Sequence, residues 1–233
     1  MDRGSTHLLF GVCPHIALSV YLLGSLIRFD REQYTWKADS SQLLERKQLR
    51  LGSNLFHIGI LALFAGHFIG LLTPHRLFLA SGVSDMAHQY AAIIAGAAFG
   101  IVCMIGGVIL WRRRMFNPRV RATSRFMDIF ILDWLLVTLA LGLSTIPVSI
   151  THALHGNVQT MIALAEWAQS VMTLQPKPLL LQAVPLIFKI HLFFGLSVFF
   201  LFPFTRLIHV WSVPLSYLVR PYQIVRTKYI RYR

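Results

Sequence analysis

A chain of 233 residues that is 55% apolar and 13% charged, with mean hydropathy +0.60, is too apolar for a water-soluble domain and belongs in a bilayer. Its 22 Lys and Arg against 9 Asp and Glu would point to nucleic acid in a soluble protein, but here the cations sit in a few short segments and nucleic acid is excluded as a partner. Cys13 and Cys103 are isolated, which excludes CxxC iron–sulfur ligation, covalent haem attachment and a disulfide scaffold.

A hydrocarbon core takes roughly 20 helical residues to cross. Uninterrupted apolar stretches predict five such helices, at about 8–27, 54–73, 89–111, 126–147 and 182–210. The first follows Asp2 and Arg3 and lacks a small-residue cleavage site, so it reads as a retained helix and not a signal peptide. The second holds His57 and His67. Between the fourth and fifth, residues 157–174 are apolar enough to resemble a sixth span. Glu166 would then sit near the bilayer centre at a cost of several kcal/mol, so the segment is read as an amphipathic helix lying on the outer surface. The fifth span carries Lys189, His191, Pro203, Arg206 and His209, with Pro203 as an expected kink. Without repeats or linkers, the chain reads as a single all-α integral membrane domain over 1–233.

Basic residues set the direction. Segment 28–50 holds six, segment 112–125 another six and the tail 211–233 five, whereas the opposite side has only Arg3, Arg76 and Lys177. The positive-inside rule places the N-terminus outside and the C-terminus in the cytoplasm. The basic segments are interleaved with Tyr34, Trp36, Trp211 and Tyr222, a composition suited to anionic lipid headgroups and to a protein docking face.

Ionisable groups inside a membrane are functional suspects. A lone intramembrane histidine is commonly an interhelical hydrogen bonder, but four histidines here fall at matched depths. Span two runs outward and span five inward, so His57 faces His209 near the cytoplasmic side and His67 faces His191 near the outer side. One imidazole from each of two antiparallel helices can clamp a macrocycle from both faces, and two such clamps would hold two b-type haems. At about 1.5 Å per residue the ten-residue gap in span two is about 15 Å and the eighteen-residue gap in span five about 27 Å, with a mean near 20 Å that suits electron hopping. Eighteen residues are about five turns, so His191 and His209 would share a face, while His67 would lie about 80° round from His57. Gly59, Gly66 and Gly195 beside these histidines either admit the macrocycle or allow close helix packing.

The runs RFDREQYTWKADSSQLLERK (28–47), SNLFHIGILALFAGHFIGLLTPH (53–75), RRRMFNPRVRATS (112–124), WAQSV (167–171) and KIHLFFGLSVFFLFPFTRLIHVWSVPLSYLVRPYQIVR (189–226) resemble the gamma, cytochrome b subunit of membrane-bound respiratory nitrate reductase. The resemblance covers about residues 10–228. It implies a five-helix di-haem b subunit in the inner membrane of a prokaryote, oxidising menaquinol or ubiquinol near the outer face. Its electrons would pass to an iron–sulfur beta subunit and a molybdenum-containing alpha subunit. Family members can carry a lysine just before span three, where this chain has Ala87 with His88 beside it. His88 is therefore the expected polar partner of quinol, with Gly70, and with His15 as a further candidate at the depth of His67 that could equally be an interhelical hydrogen bonder.

Lys189 and Arg206, two and three residues before a ligand, are candidates to pair with haem propionates, with snorkelling to the interface as the other reading for Lys189. Asp128 is expected to complement the start of span four, and Asp133 to need a partner. His152 and His155 alone make weak evidence for a metal site. A di-haem anchor of a hydrogenase, formate dehydrogenase or sulfur-compound reductase, and a haem-free scaffold or transporter, are the competing functions.

Overall fold

The computed structural model describes residues 3–32 and 44–212, so Tyr34, Trp36, Lys37, Tyr222 and the basic tail after Trp211 lie outside the described residues. Helices α1 (Arg3–Arg31), α2 (Arg46–Leu72), α4 (Asp85–Phe116), α6 (Phe126–Leu154) and α8 (Leu186–Leu201) provide five candidate spans. The short helices α3 (His75–Ala80) and α5 (Pro118–Ala122) lie between spans, and α7 is Gln159–Met172. All described regular structure is helical.

Helices overrun the apolar stretches that foretold them because polar residues continue and cap them. The Ser84 hydroxyl accepts the Ala87 N–H at 3.2 Å to start α4, and Asn117 does the same for α5. The Asp128 carboxylate reaches back to the Arg125 N–H at the start of α6, as expected of it. The fourth span was expected to end at Pro147, yet α6 runs on to Leu154 through that proline. Membrane helices tolerate proline where neighbours accommodate the freed backbone.

Span five departs furthest from expectation. The α-helix ends at Leu201, a 3-10 turn takes Phe202–Phe204, Thr205 is extended (φ −121°, ψ 177°), and a second 3-10 stretch runs Arg206–Ser212. Residues 182–210 are therefore no continuous helix, and Pro203 breaks the chain instead of kinking it. Proline lacks the N–H that would bond to the carbonyl of residue 199 and its ring crowds that carbonyl. The orphaned carbonyls of Pro203 and Thr205 are taken by the Arg28 guanidinium at 2.7 and 3.2 Å. The five-turn argument that put His191 and His209 on one face fails with the helix. The break also explains how a histidine spacing of eighteen residues can face one of ten.

Helix α1 opens with a π-helical turn at Leu8–Val12, where the Cys13 N–H bonds to the carbonyl of Leu8. Pro14 cannot donate to the Phe10 carbonyl, and that carbonyl instead accepts the Trp167 indole N–H at 2.9 Å. Trp167 packs edge-on against Phe10 with Val171, Leu181, Val184 and Phe188 in the buried core at this end. Helix α7 thus does more than lie on a surface. Its Trp167, Ser170 and Val171 are buried against the bundle, and at fourteen residues, about 21 Å, it is too short to cross.

The spans pack in an arc. Helix α2 packs on α4, α4 on α6, α6 on α8, and α8 on α1, with α2 also touching α7. The α2–α4 seam depends on glycine. A Cβ on Gly59 would lie 2.5–2.7 Å from Cys103 atoms, and one on Gly106 would run into the backbone of Phe56 and Gly52. Gly59 therefore serves helix packing and not the histidine beside it. Replacing Gly106 with alanine must push α2 and α4 apart and should cost about 1–3 kcal/mol, read as a lowered thermal unfolding midpoint of the detergent-solubilised protein.

Candidate functional site

Helix α2 carries His57 and His67, α8 carries His191 and the 3-10 stretch beyond the Pro203 break carries His209, so that the two histidine pairs face each other across the open side of that arc. The ring centroids of His57 and His209 are 6.3 Å apart, and those of His67 and His191 are 6.2 Å apart. The pairs inferred from depth are the pairs the fold brings together. A metal–imidazole bond of about 2.0 Å plus about 1.1 Å from nitrogen to ring centre puts two rings on opposite sides of one ion about 6.2 Å apart. Both separations match that value.

The ring nitrogens agree. The Nδ1 atoms of His57, His67, His191 and His209 lie 2.7, 2.7, 3.1 and 2.6 Å from the carbonyl oxygens of Ser53, Leu63, Thr138 and Arg206. A carbonyl only accepts, so each Nδ1 carries the proton and each Nε2 keeps its lone pair, which is the tautomer a metal-ligating histidine needs. His15 and His155 make the same intrahelical bond, so the bond alone does not mark a ligand; the facing partner does. His191 is different because its acceptor, Thr138, belongs to α6. Its ring lies against Gly142, where a Cβ would stand 2.9 Å from the imidazole. A single sequence carries no signal for Gly142. Beside the pairs, a Cβ on Gly66 or Gly195 would meet no atom within 4 Å, so the helix faces there are uncrowded where a macrocycle would approach. The donor set, its spacing and these open faces fit an iron porphyrin at each pair.

The charged candidates have partners of their own. Arg206 pairs through Nε with Asp128 at 3.4 Å, and the Arg114 guanidinium donates to the Asp128 carbonyl at 2.6 Å. Arg114 also supplies the electrostatic neighbour expected for Asp133. Lys189 donates to the Gln182 carbonyl at 3.1 Å. His152 lies in the last turn of α6 and His155 caps it, and no group of three potential metal ligands occurs among the described residues.

A cleft opens at the end of the bundle that holds His67. Its wall includes Gly70 and His88, the two quinol candidates, together with His75, Phe78, Glu166 and Gln169. His88 stacks on Phe78 with centroids 4.1 Å apart, and its Nε2 is 3.4 Å from where a Gly70 Cβ would be. His75 Nδ1 pairs with Asp85 at 3.0 Å. Gln169 spends its amide N–H groups on the carbonyls of Leu71 and Thr73, both at 3.1 Å, tying α7 to the end of α2. His15 is not in the cleft wall. Its Nε2 lies 3.2 Å from the Val171 carbonyl, so it links α1 to α7. The sequence reading did not assign His75, Phe78, Glu166 or Gln169, because they come from segments far apart in the chain.

Comparison with known proteins gives the family. The model of the nitrate reductase gamma subunit family matches residues 6–228. The chain is 51% identical to the respiratory nitrate reductase 1 gamma chain of Escherichia coli (strain K12) over 221 residues, 94% of this chain and 96% of that one. It is 46% identical to the respiratory nitrate reductase 2 gamma chain of the same organism, over 94% of this chain and 96% of that one. With the nitrate reductase gamma chain of Bacillus subtilis (strain 168) it shares 38% identity over 96% and 99% of the two lengths. Five apolar helices and a match that runs nearly from end to end lead to one assignment: the chain belongs to the nitrate reductase gamma subunit family.

Proposed function

We propose that the chain is a di-haem cytochrome b subunit of a respiratory nitrate reductase, oxidising quinol in the cleft beside His67 and His191. The observation that carries this reading is the pair of facing imidazoles, twice over, at 6.3 and 6.2 Å with every Nδ1 engaged by a carbonyl. His67 and His191 would hold one haem b, and His57 and His209 the other. When bound, these groups supply one-electron redox chemistry. The rest is the work of the chain. Gly70 lets quinol approach α2, His88 orients a quinol hydroxyl from the facing wall, and Phe78 fixes the His88 ring. Arg206 and Lys189, close to the ligands at each end, are the cations placed to meet propionates.

The direction is inferred from the resemblance to that family. Electrons would leave at the His57–His209 end toward an iron–sulfur beta subunit and then a molybdenum-containing alpha subunit, docked on the basic, aromatic face. Haem extraction and a redox-titrated optical spectrum of the purified subunit test the cofactors, with two b-type components expected. A chain without a Soret band would instead be the scaffold that competes with this reading.

The same proposal places the chain in a prokaryotic inner membrane as a single domain, with its N-terminus outside. Seventeen basic residues on one side against three on the other support that orientation. A reporter fused after Arg233 is expected to be active only in its cytoplasm-reading form. Activity of a periplasm-reading reporter there would reverse the topology.

A further inference from the structure

Quinol oxidation yields two protons as well as two electrons, and the cleft is unusual in which polar groups it leaves unspent. The Gln169 amide N–H groups are committed to backbone carbonyls. The Nε2 of His88 and the carboxylate of Glu166 make no hydrogen bond or ion pair among the described residues. Both are proton acceptors. Glu166 is the one charged residue of α7, in an otherwise uncharged run QTMIALAEWAQSVM, and it is exposed. Asp85 and His75 are electrostatic neighbours of His88. They form their own 3.0 Å pair with side chains 27% and 40% exposed, and His75 shares the cleft wall with His88.

We propose that the cleft is a proton outlet with two arms, in which Glu166 accepts one quinol proton and His88 accepts the other and delivers it to the surface through the His75–Asp85 pair. The proposal rests on the quinol-oxidising reading above and deepens it. The balance is complete. Each quinol O–H bond breaks heterolytically, one proton going to the Glu166 carboxylate and one to His88 Nε2. The two electrons would leave one at a time to the one-electron acceptor, a haem, that His67 and His191 would hold, leaving neutral quinone. A carboxylate at the rim and an imidazole beside a His–Asp pair suit this task because each can accept a proton and pass it on, which an amide cannot.

The test uses the whole nitrate reductase complex in lipid nanodiscs, with a short-chain ubiquinol as reductant and stopped-flow reading of haem reduction. Glu166→Gln and Asp85→Asn are each expected to slow quinol-driven reduction by about 10²-fold, the scale of a lost general base. Affinity for a quinol-site inhibitor, read from the haem spectral shift, should stay unchanged, and added acetate should restore the rate of Glu166→Ala in a dose-dependent way. A full rate in either Glu166→Gln or Asp85→Asn overturns the proposal. So does a slowed rate accompanied by lost inhibitor affinity and no rescue by acetate, which would make these side chains binding groups. If quinol fails to reduce the wild-type complex at all, the quinol-oxidising reading is what falls, and the two failures are told apart by that control.

Discussion

Replacing His57 or His209 with alanine should leave one b haem per chain, the one held by His67 and His191, and replacing His67 or His191 should leave the other. Each facing pair sits at the separation of two axial imidazoles on one ion, so losing either ring removes half of the axial coordination and the site's specificity for a six-coordinate iron. Haem content by the pyridine haemochrome assay should fall by half, with only one of the two redox components left in the titration. Quinol-supported nitrate reduction should fall to background in all four variants, because electrons have to pass both sites in series. If any one variant kept both components with bis-imidazole spectra, the pairing would be wrong.

A second large effect is expected in the cleft. An inhibitor of quinol oxidation should perturb the spectrum or potential of the haem at His67–His191 and leave the other nearly unchanged, since Gly70, which lines its site, is a single helical turn beyond His67 and His88 lies against it from α4. His88→Ala should weaken that inhibitor and slow reduction of both haems by quinol about 10–100-fold. A dye that feeds electrons to the cytoplasmic subunits should still support full turnover. With the proposed orientation, protons appear outside while electrons move inward, storing about 2.3 kcal/mol per charge per 100 mV. Protons released inside, or an inhibitor acting only at His57–His209, would place quinol at the wrong end.

The spans and the facing of the histidines were legible because the bilayer imposes hard constraints: a crossing needs about 20 apolar residues, and antiparallel helices put first against last. The Pro203 break was not legible. Pro147 and Pro203 are the same residue in the same kind of sequence, yet α6 continues through one and α8 stops before the other. The difference lies in Arg28, 175 residues away, whose guanidinium satisfies the carbonyl that the break exposes. Gly59 and Gly66 were equally indistinguishable, one pressed against Cys103 and one facing open space. Gly70 and His88 were legible as residues of the cleft, but Phe78, Glu166 and Gln169 were not, since they join them only after the segments between and beside the spans have docked.

The arc of helices bears on how the subunit is assembled. Helix α2 has the least buried window of the five spans, 6%, and it leans mainly on α4 through the Gly59 and Gly106 seam, while α8 leans on α1 and α6. The four histidines therefore lie at the two ends of one arc, joined through α4 and α6, like the jaws of a clasp. On the proposed reading, the arc can be packed before its ends are bridged, and haem capture would be the late, sealing event of biogenesis. A newly made chain starved of haem should be found with its jaws unlatched, and quality-control proteases would meet it at α2 first.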